Sequence, residues 1–177
     1  AIDGDGTETT RQSAQKNTGS HSNDVNVVEL FVEAIADNGF VLGFAYIPTR
    51  DLGSKSRTDS NTGGDNGTYK AAAELDNVAQ IYVDIPLFSG MIPVHAKLGV
   101  QHLTVKTLET LNAGSAYPDI DVLGTTVGIG TKGDIPYGNN LYYKLEATYT
   151  DFETISAESD ANNTISADLD DTAVTVS

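Results

Sequence analysis

The sequence has no cysteine and no tryptophan, one methionine, 7% aromatic residues, and 10 lysines and arginines against 25 aspartates and glutamates. Each shortage excludes something. Without cysteine there is no disulfide scaffold, no thiolate metal site and no cysteine nucleophile. A formal net charge of −15 argues against a nucleic-acid partner, because neutralising phosphates requires Lys and Arg. No apolar run approaches the ~18 residues of a spanning helix, which excludes membrane helices and leaves strands untouched. The 177 residues, 39% of them hydrophobic, suffice for one domain with a real core.

What is present is alternation with period two, repeated along the chain, while the 3.6-residue period of helices is hard to find. Residues 1–24 are rich in Gly, Asp, Ser, Thr and Asn and read as a polar N-terminal segment or outer loop, ahead of a β domain over 25–177. Seven alternating runs follow, at 25–36, 40–49, 69–85, 94–111, 120–131, 140–155 and 164–177. Asp37-Asn38-Gly39 predicts a tight hairpin turn, since Asn-Gly tolerates positive φ. In the run from 94 the apolar phase changes near His102, where Leu103 and Val105 follow, and a bulge is expected there.

One face of each run is apolar; the other mixes charges with glycines. In a soluble sandwich the apolar face would point into a core, and in a membrane barrel it would point to lipid. Alternation alone does not separate these. Three features favour the barrel. Compact connections at 37–39, 86–93 and 133–139 alternate with polar ones at 50–67, 112–119 and 156–163, read as the asymmetry expected of inner turns and outer loops. The runs exceed the ~5–6 residues of an ordinary strand. Aromatic residues cluster near run ends: Phe40, Phe88, Tyr137, Tyr142 and Tyr143 on one side, Tyr46, Tyr69, Tyr117 and Tyr149 on the other, as in interfacial girdles.

The segments VVELFVEAIADNGFVLGFAYIP, NVAQIYVDIPLF, IPVHAKLGV and NNLYYKLEATYTDF together give a chain that resembles the small OmpA/OmpX-type outer-membrane β-barrels of Gram-negative bacteria. The resemblance is one of pattern over about residues 25–177 and carries no short diagnostic motif. It implies an all-β, up-and-down antiparallel meander closed into a transmembrane barrel of about eight strands. Two departures stand out: the chain ends on Ser177 rather than on an aromatic residue, and seven runs are an odd number. Both are accounted for if the sequence lacks a first strand and the end of the last.

On this reading Phe40, Phe44, Tyr46, Tyr143 and Tyr149 form the lipid-facing and aromatic belt. Glu29, Glu33, Glu74, Asp76, Lys97, Lys144 and Glu146 line the lumen, as a plug of salt bridges or as a thin polar path for small solutes. No cofactor is expected. Asp3, Asp5 and Glu8 are weak Ca²⁺ candidates, since hard cations prefer clustered carboxylates, but the D-x-D-x-D-G order is missing. A lipid-A-modifying acyl enzyme is the remote alternative: His102-Leu103-Thr104 lacks the serine such enzymes would place there, His21 sits in a loop with no oriented acid, and His95 lies close to the short-turn side, away from where the lipid substrate would sit. No catalytic residue is therefore assigned. The expected role is structural or adhesive, in a bacterial outer membrane, with the lipid bilayer as one partner and an extracellular partner met by the acidic loops. The alternative is a soluble β-structured surface or virion component that assembles through its strands.

Overall fold

The computed structural model describes the chain apart from residues 10–15, 60–66, 111–115, 136–140 and 161, and apart from the side chains of 17, 55, 57, 59, 67–69, 71, 109 and 110. Among the described residues it is entirely β, with eleven strands: β1 Ile2–Thr9, β2 Lys16–Asn23, β3 Leu30–Ile35, β4 Val41–Ile47, β5 Arg50–Asp59, β6 Gly67–Phe88, β7 Val94–Thr110, β8 Ile120–Asp134, β9 Tyr142–Phe152, β10 Ile155–Glu158 and β11 Thr164–Val176. All pairings are antiparallel and form one sheet in the order β2-β1-β11-β9-β8-β7-β6-β4-β3, with β5 on β6 and β10 on β11. Among the described residues no helix is long and apolar enough to cross a membrane, a fact that does not bear on strands.

Each of the seven expected runs contains a strand, and four further strands join them. Residues 1–24, expected as loop, supply the β1–β2 hairpin, with β1 seated between β2 and β11. The expected loop from residue 50 begins as β5, which continues the line of β4 up the side of β6. Polar composition hid both, because their side chains give no apolar alternation to read. The predicted turn after β3 holds: Gly39 has φ +84° and donates its N–H to the Ala36 carbonyl at 2.8 Å. Tyr137 and most of the predicted turn around it lie outside the described residues.

The sheet is not closed into a barrel. Its path ends at β2 on one side and β3 on the other. It is nonetheless strongly rolled, as strand twist in a wide sheet requires. Glu33 on β3 hydrogen-bonds Lys144 on β9, although β4, β6, β7 and β8 lie between those strands in the sheet. At the other end Asn23 on β2 donates to the Leu52 carbonyl on β5 at 3.1 Å, so those two edges also meet through a side chain. The end carrying the 36–40 turn is called the lower end below.

Inward-facing side chains change character along the strands. Up β7 they run His95, Lys97, Gly99, Gln101, Leu103, Val105, with unbroken pairing to β8. The expected bulge at His102 is therefore absent; the parity is constant and the chemistry of the interior changes. The bulge is on β6 instead, between Asp76 and Ala79, where Asn77 takes φ +52°, a left-handed conformation that Asn tolerates better than most residues. Upper inward positions build an apolar core of Ile2, Leu75, Val78, Leu103, Val105, Val122, Phe152, Ile155 and Leu169. Lower inward positions are polar, and the outward positions around them are apolar.

Candidate functional site

The lower interior is a charged network drawn from five strands. Lys144 on β9 is its hub: its ammonium donates to Glu33 and lies 3.3 Å from Asp84 Oδ2 and 3.2 Å from Glu146 Oε1. Lys97 donates to Glu146 Oε2 at 2.6 Å, and Lys132 to Asp84 Oδ2 at 3.1 Å. His95 Nε2 sits 2.8 Å from Glu146 Oε1, and since a carboxylate only accepts, that nitrogen carries the proton. Tyr82 donates its hydroxyl to Glu33 at 2.8 Å, and its ring lies 3.7 Å from the Lys97 ammonium, centroid to nitrogen. Three carboxylates, Glu33, Asp84 and Glu146, thus face three ammonium groups, Lys97, Lys132 and Lys144. A buried ion cluster persists only when paired and hydrogen-bonded in this way.

Above it lies a neutral polar tier. Gln80 donates to Thr126 at 2.7 Å and Thr126 shares a 2.8 Å hydrogen bond with Thr150. The apolar core closes the interior above that.

Glycines make room for the network's large side chains. Tyr82 is 1% exposed and is flanked in register by Gly43 on β4 and Gly99 on β7. A Cβ on Gly43 would overlap the Tyr82 ring, with the hydroxyl oxygen 2.6 Å away. Gly43→Ala is therefore expected to displace the ring, break its bond to Glu33 and cost about 1–3 kcal/mol, the usual range for overpacking. Denaturant midpoints would show it, and the cost should shrink when Tyr82→Ala is added, because the clash then has no partner.

Of the expected lumenal residues, Glu33, Lys97, Lys144 and Glu146 come together. Glu29, just before β3, is half-buried within electrostatic reach of Lys97 and Lys144. Glu74 and Asp76 do not join them. The Asn77 bulge reverses the parity of β6, so these two face outward in the upper half, where Asp76 pairs with Lys106 at 2.5 Å. Asp84 and His95 sit on the charged face in the sequence pattern, whereas Tyr82 and Lys132 were missed. Lys132 continues the inward series Thr126, Gly128, Gly130 past a Lys-Gly-Asp that resembles a turn. Tyr82 shares parity with Asp84, but its flanking glycines become visible only once the register is known.

The expected belt residues face outward: Phe40 is 45% exposed, Phe44 44%, Tyr143 38% and Tyr149 43%, with Tyr46 partly exposed on the same side of β4. The weak calcium candidates do not converge. β1 is regularly paired on both sides, so alternation puts Asp3 and Asp5 on one face and Glu8 on the other, where it accepts from the Tyr117 hydroxyl at 3.0 Å. A different trio, Asp84, His95 and Glu146, holds its ligand atoms within 4.8 Å of one another, and Asp84 Oδ1 is buried without a hydrogen bond. Its negative charge is already met by Lys97, Lys132 and Lys144, so a divalent ion would enter a balanced cluster against three ammonium groups.

Asp3 and Asp5 belong instead to an acidic upper outer face. Asp170 lies directly between Asp3 on β1 and Asp151 on β9. Burial first, then Asp3, Asp151 and Asp5, raise its carboxyl above the ordinary range. The folded state thus holds this proton more tightly than the unfolded chain, and its contribution to stability falls as pH rises through the raised range. Asp170→Asn is expected to raise the melting temperature at neutral pH and leave it unchanged at pH values below the ordinary carboxylate range.

No protein-family model matches this chain, and neither a curated protein nor a solved structure matches it. Any functional reading therefore rests on the geometry.

Proposed function

We propose that the chain is an outer-membrane β-barrel of the small OmpA/OmpX type, with a structural or adhesive role, its lower half crossing the bilayer and its upper half standing outside it. One observation carries this reading: a charged network drawn from five strands lies inside, and apolar surface covers the outside of seven adjacent strands. Leu30 and Val32, Leu42 and Phe44, Ile81 and Val83, Leu98 and Val100, Val127 and Ile129, Leu145 and Tyr149, and Val174 and Val176 are all exposed, each by at least 36%. A soluble monomer rarely leaves a contiguous apolar patch beyond a few hundred Å². In hydrocarbon the same surface is the stable arrangement.

The dimensions agree. Along β8, Leu123 to Thr131 rises roughly 27 Å at about 3.4 Å per residue. A strand tilt of about 40° reduces this to roughly 21 Å, near the outward band of about 25 Å in such barrels. The apolar core above the ion network blocks the interior, which favours a plug over solute passage. The acidic wall formed by Asp3, Asp5, Asp151, Asp168 and Asp170 offers the surface for an extracellular partner. The lipid bilayer is the first partner, and no catalytic group or cofactor enters this reading.

The alternative, a soluble surface or virion component, requires the apolar belt to be covered by other copies. Folding from urea separates them. The barrel should regain its structure when detergent micelles or phospholipid vesicles are added and run on unheated gels at a mobility that boiling changes. Refolding to a dispersed or assembled species without any amphiphile would overturn the membrane reading.

A further inference from the structure

Glu29 is the odd carboxylate of the interior. Glu33, Asp84 and Glu146 are matched by Lys97, Lys132 and Lys144, and among the described residues no fourth ammonium answers Glu29. Glu29 keeps the parity of Glu33 and is half-buried. Its height is fixed by register. The row through Leu30 runs Tyr46, Ala79, His102 and Leu123, the top of the outward apolar band. Glu29 lies one position above that row, outside β3 and above the band. Among the described residues no hydrogen bond or ion pair reaches its carboxyl. Lys97 and Lys144 favour its charged form through space, and Glu146 and Glu33 oppose it.

The connection that carries Glu29 is thinly held. Residues 24–29 form no strand between β2 and β3. Val25 packs against the apolar core at one end, and β3 begins at Leu30 at the other. Between them Val27 and Val28 are 40% and 70% exposed, and Glu29 is the one member of 26–29 that is not exposed. β3 itself ends the sheet path and, among the described residues, pairs with β4 alone. Glu29 is thus the side-chain hold on the head of an edge strand.

We propose that Glu29 is a proton-operated latch on the head of β3. Neutral, its carboxyl stays against the interior, where three acids face three ammonium groups, and it holds residues 26–30 in place. Ionised, it puts one negative charge in excess beside Glu33 and Glu146, and a buried charge without a partner is costly. The side chain then leaves for water, and 26–30 loosen together with the first rung of the β3–β4 ladder, Leu30↔Tyr46. The surrounding groups are already engaged. Lys144 donates to Glu33, Lys97 to Glu146 and Lys132 to Asp84. Tyr82 donates to Glu33, and His95 lies on Glu146. Tyr142 on β9 lies near the same carboxylates. β4 turns Val41, Gly43, Ala45 and Ile47 inward and brings no charge. Burial first, then Glu146 and Glu33, holds the Glu29 carboxyl above the ordinary range against Lys97 and Lys144. The folded state therefore keeps this proton more tightly than the unfolded chain. Its contribution to stability is present below the ordinary range and is lost as pH rises through the raised one. The latch opens in that same direction.

The test puts a nitroxide spin label on Val27→Cys in the full chain, which has no other cysteine, and reads its mobility in folded protein from acid to neutral pH. The mobile fraction should rise several-fold in a one-proton transition above the ordinary carboxylate range. Glu29→Gln keeps the neutral shape and should hold the label immobile throughout. Glu29→Ala has no carboxyl to seat and should leave it mobile throughout. Asp170, whose carboxyl is also raised, is present in all three proteins, so the difference between them belongs to Glu29. A transition that persists in Glu29→Gln, a label as immobile in Glu29→Ala as in Glu29→Gln, or no change with pH in the parent would each overturn the proposal. The latch depends on the charge count and the rolled sheet, so these results leave the barrel reading standing. The same pH scan applies to protein that folds without amphiphile.

Discussion

Lys144→Met is expected to destabilise the protein by about 3–5 kcal/mol, the range for removing one partner of a buried ion cluster. The reason is local. Lys144 is 3% exposed and is the only cation in contact with Glu33, Asp84 and Glu146 together, among the described residues. Without it, Glu33 keeps the Tyr82 hydroxyl and a distant Lys132 at 3.8 Å. Glu33 is also the one network member on β3, so losing this contact releases the rolled edge from β9. Adding Glu33→Gln should recover part of the loss, because fewer unpaired charges remain, and the two substitutions should be strongly non-additive. Equilibrium denaturation of the single and double variants checks this. An additive pair, or a single cost under 1 kcal/mol, would mean that the network does not hold the roll.

Leu98→Arg and Val127→Arg should each cost about 2–4 kcal/mol when the protein is folded into phospholipid vesicles, as arginine does near the midplane on the lipid face of a barrel. Both residues are nearly half exposed on neighbouring strands. On a water-facing surface such changes stay within about 0.5 kcal/mol. The effect should depend on depth: Val94→Arg, at the lower end of β7, should cost no more than about 1 kcal/mol. Urea titrations in vesicles give the three values on one scale. Three equal small costs would contradict a lipid-facing belt.

Where side chains alternate in polarity, the sequence reveals the strands. Val41 to Ile47, Val94 to Gln101 and Tyr142 to Thr150 are legible because one parity is apolar and the other charged or small. Where alternation is absent, it is silent. Asp3-Gly4-Asp5-Gly6-Thr7-Glu8 and Asn17-Thr18-Gly19-Ser20 form β1 and β2 through backbone pairing, which polar composition does not advertise. The site shows the same division. Glu33, Lys97, Lys144 and Glu146 come together on one face of the sheet, since β3, β7 and β9 keep their parity through those positions. Glu74 and Asp76 are lost to a single inserted residue, Asn77, which turns every earlier side chain of β6 to the other face. The change of phase on β7 has the opposite origin: no residue is inserted, and the interior passes from ions through amides and hydroxyls to hydrocarbon. Parity and chemistry give the same signal in a sequence, and only the pairing register separates them.

The central claim, that the lower outer face meets lipid, is tested most directly by fluorophores on single cysteines, which the cysteine-free chain makes unambiguous. Labels at Leu98, Val127 and Leu145, paired with labels at Gln101, Thr126 and Thr148, are read in vesicles containing brominated acyl chains. The predicted result is strong quenching at the first three and weak quenching at the second three, period two along each strand. Quenching that is uniformly weak, or that shows no alternation between the faces, would contradict the account.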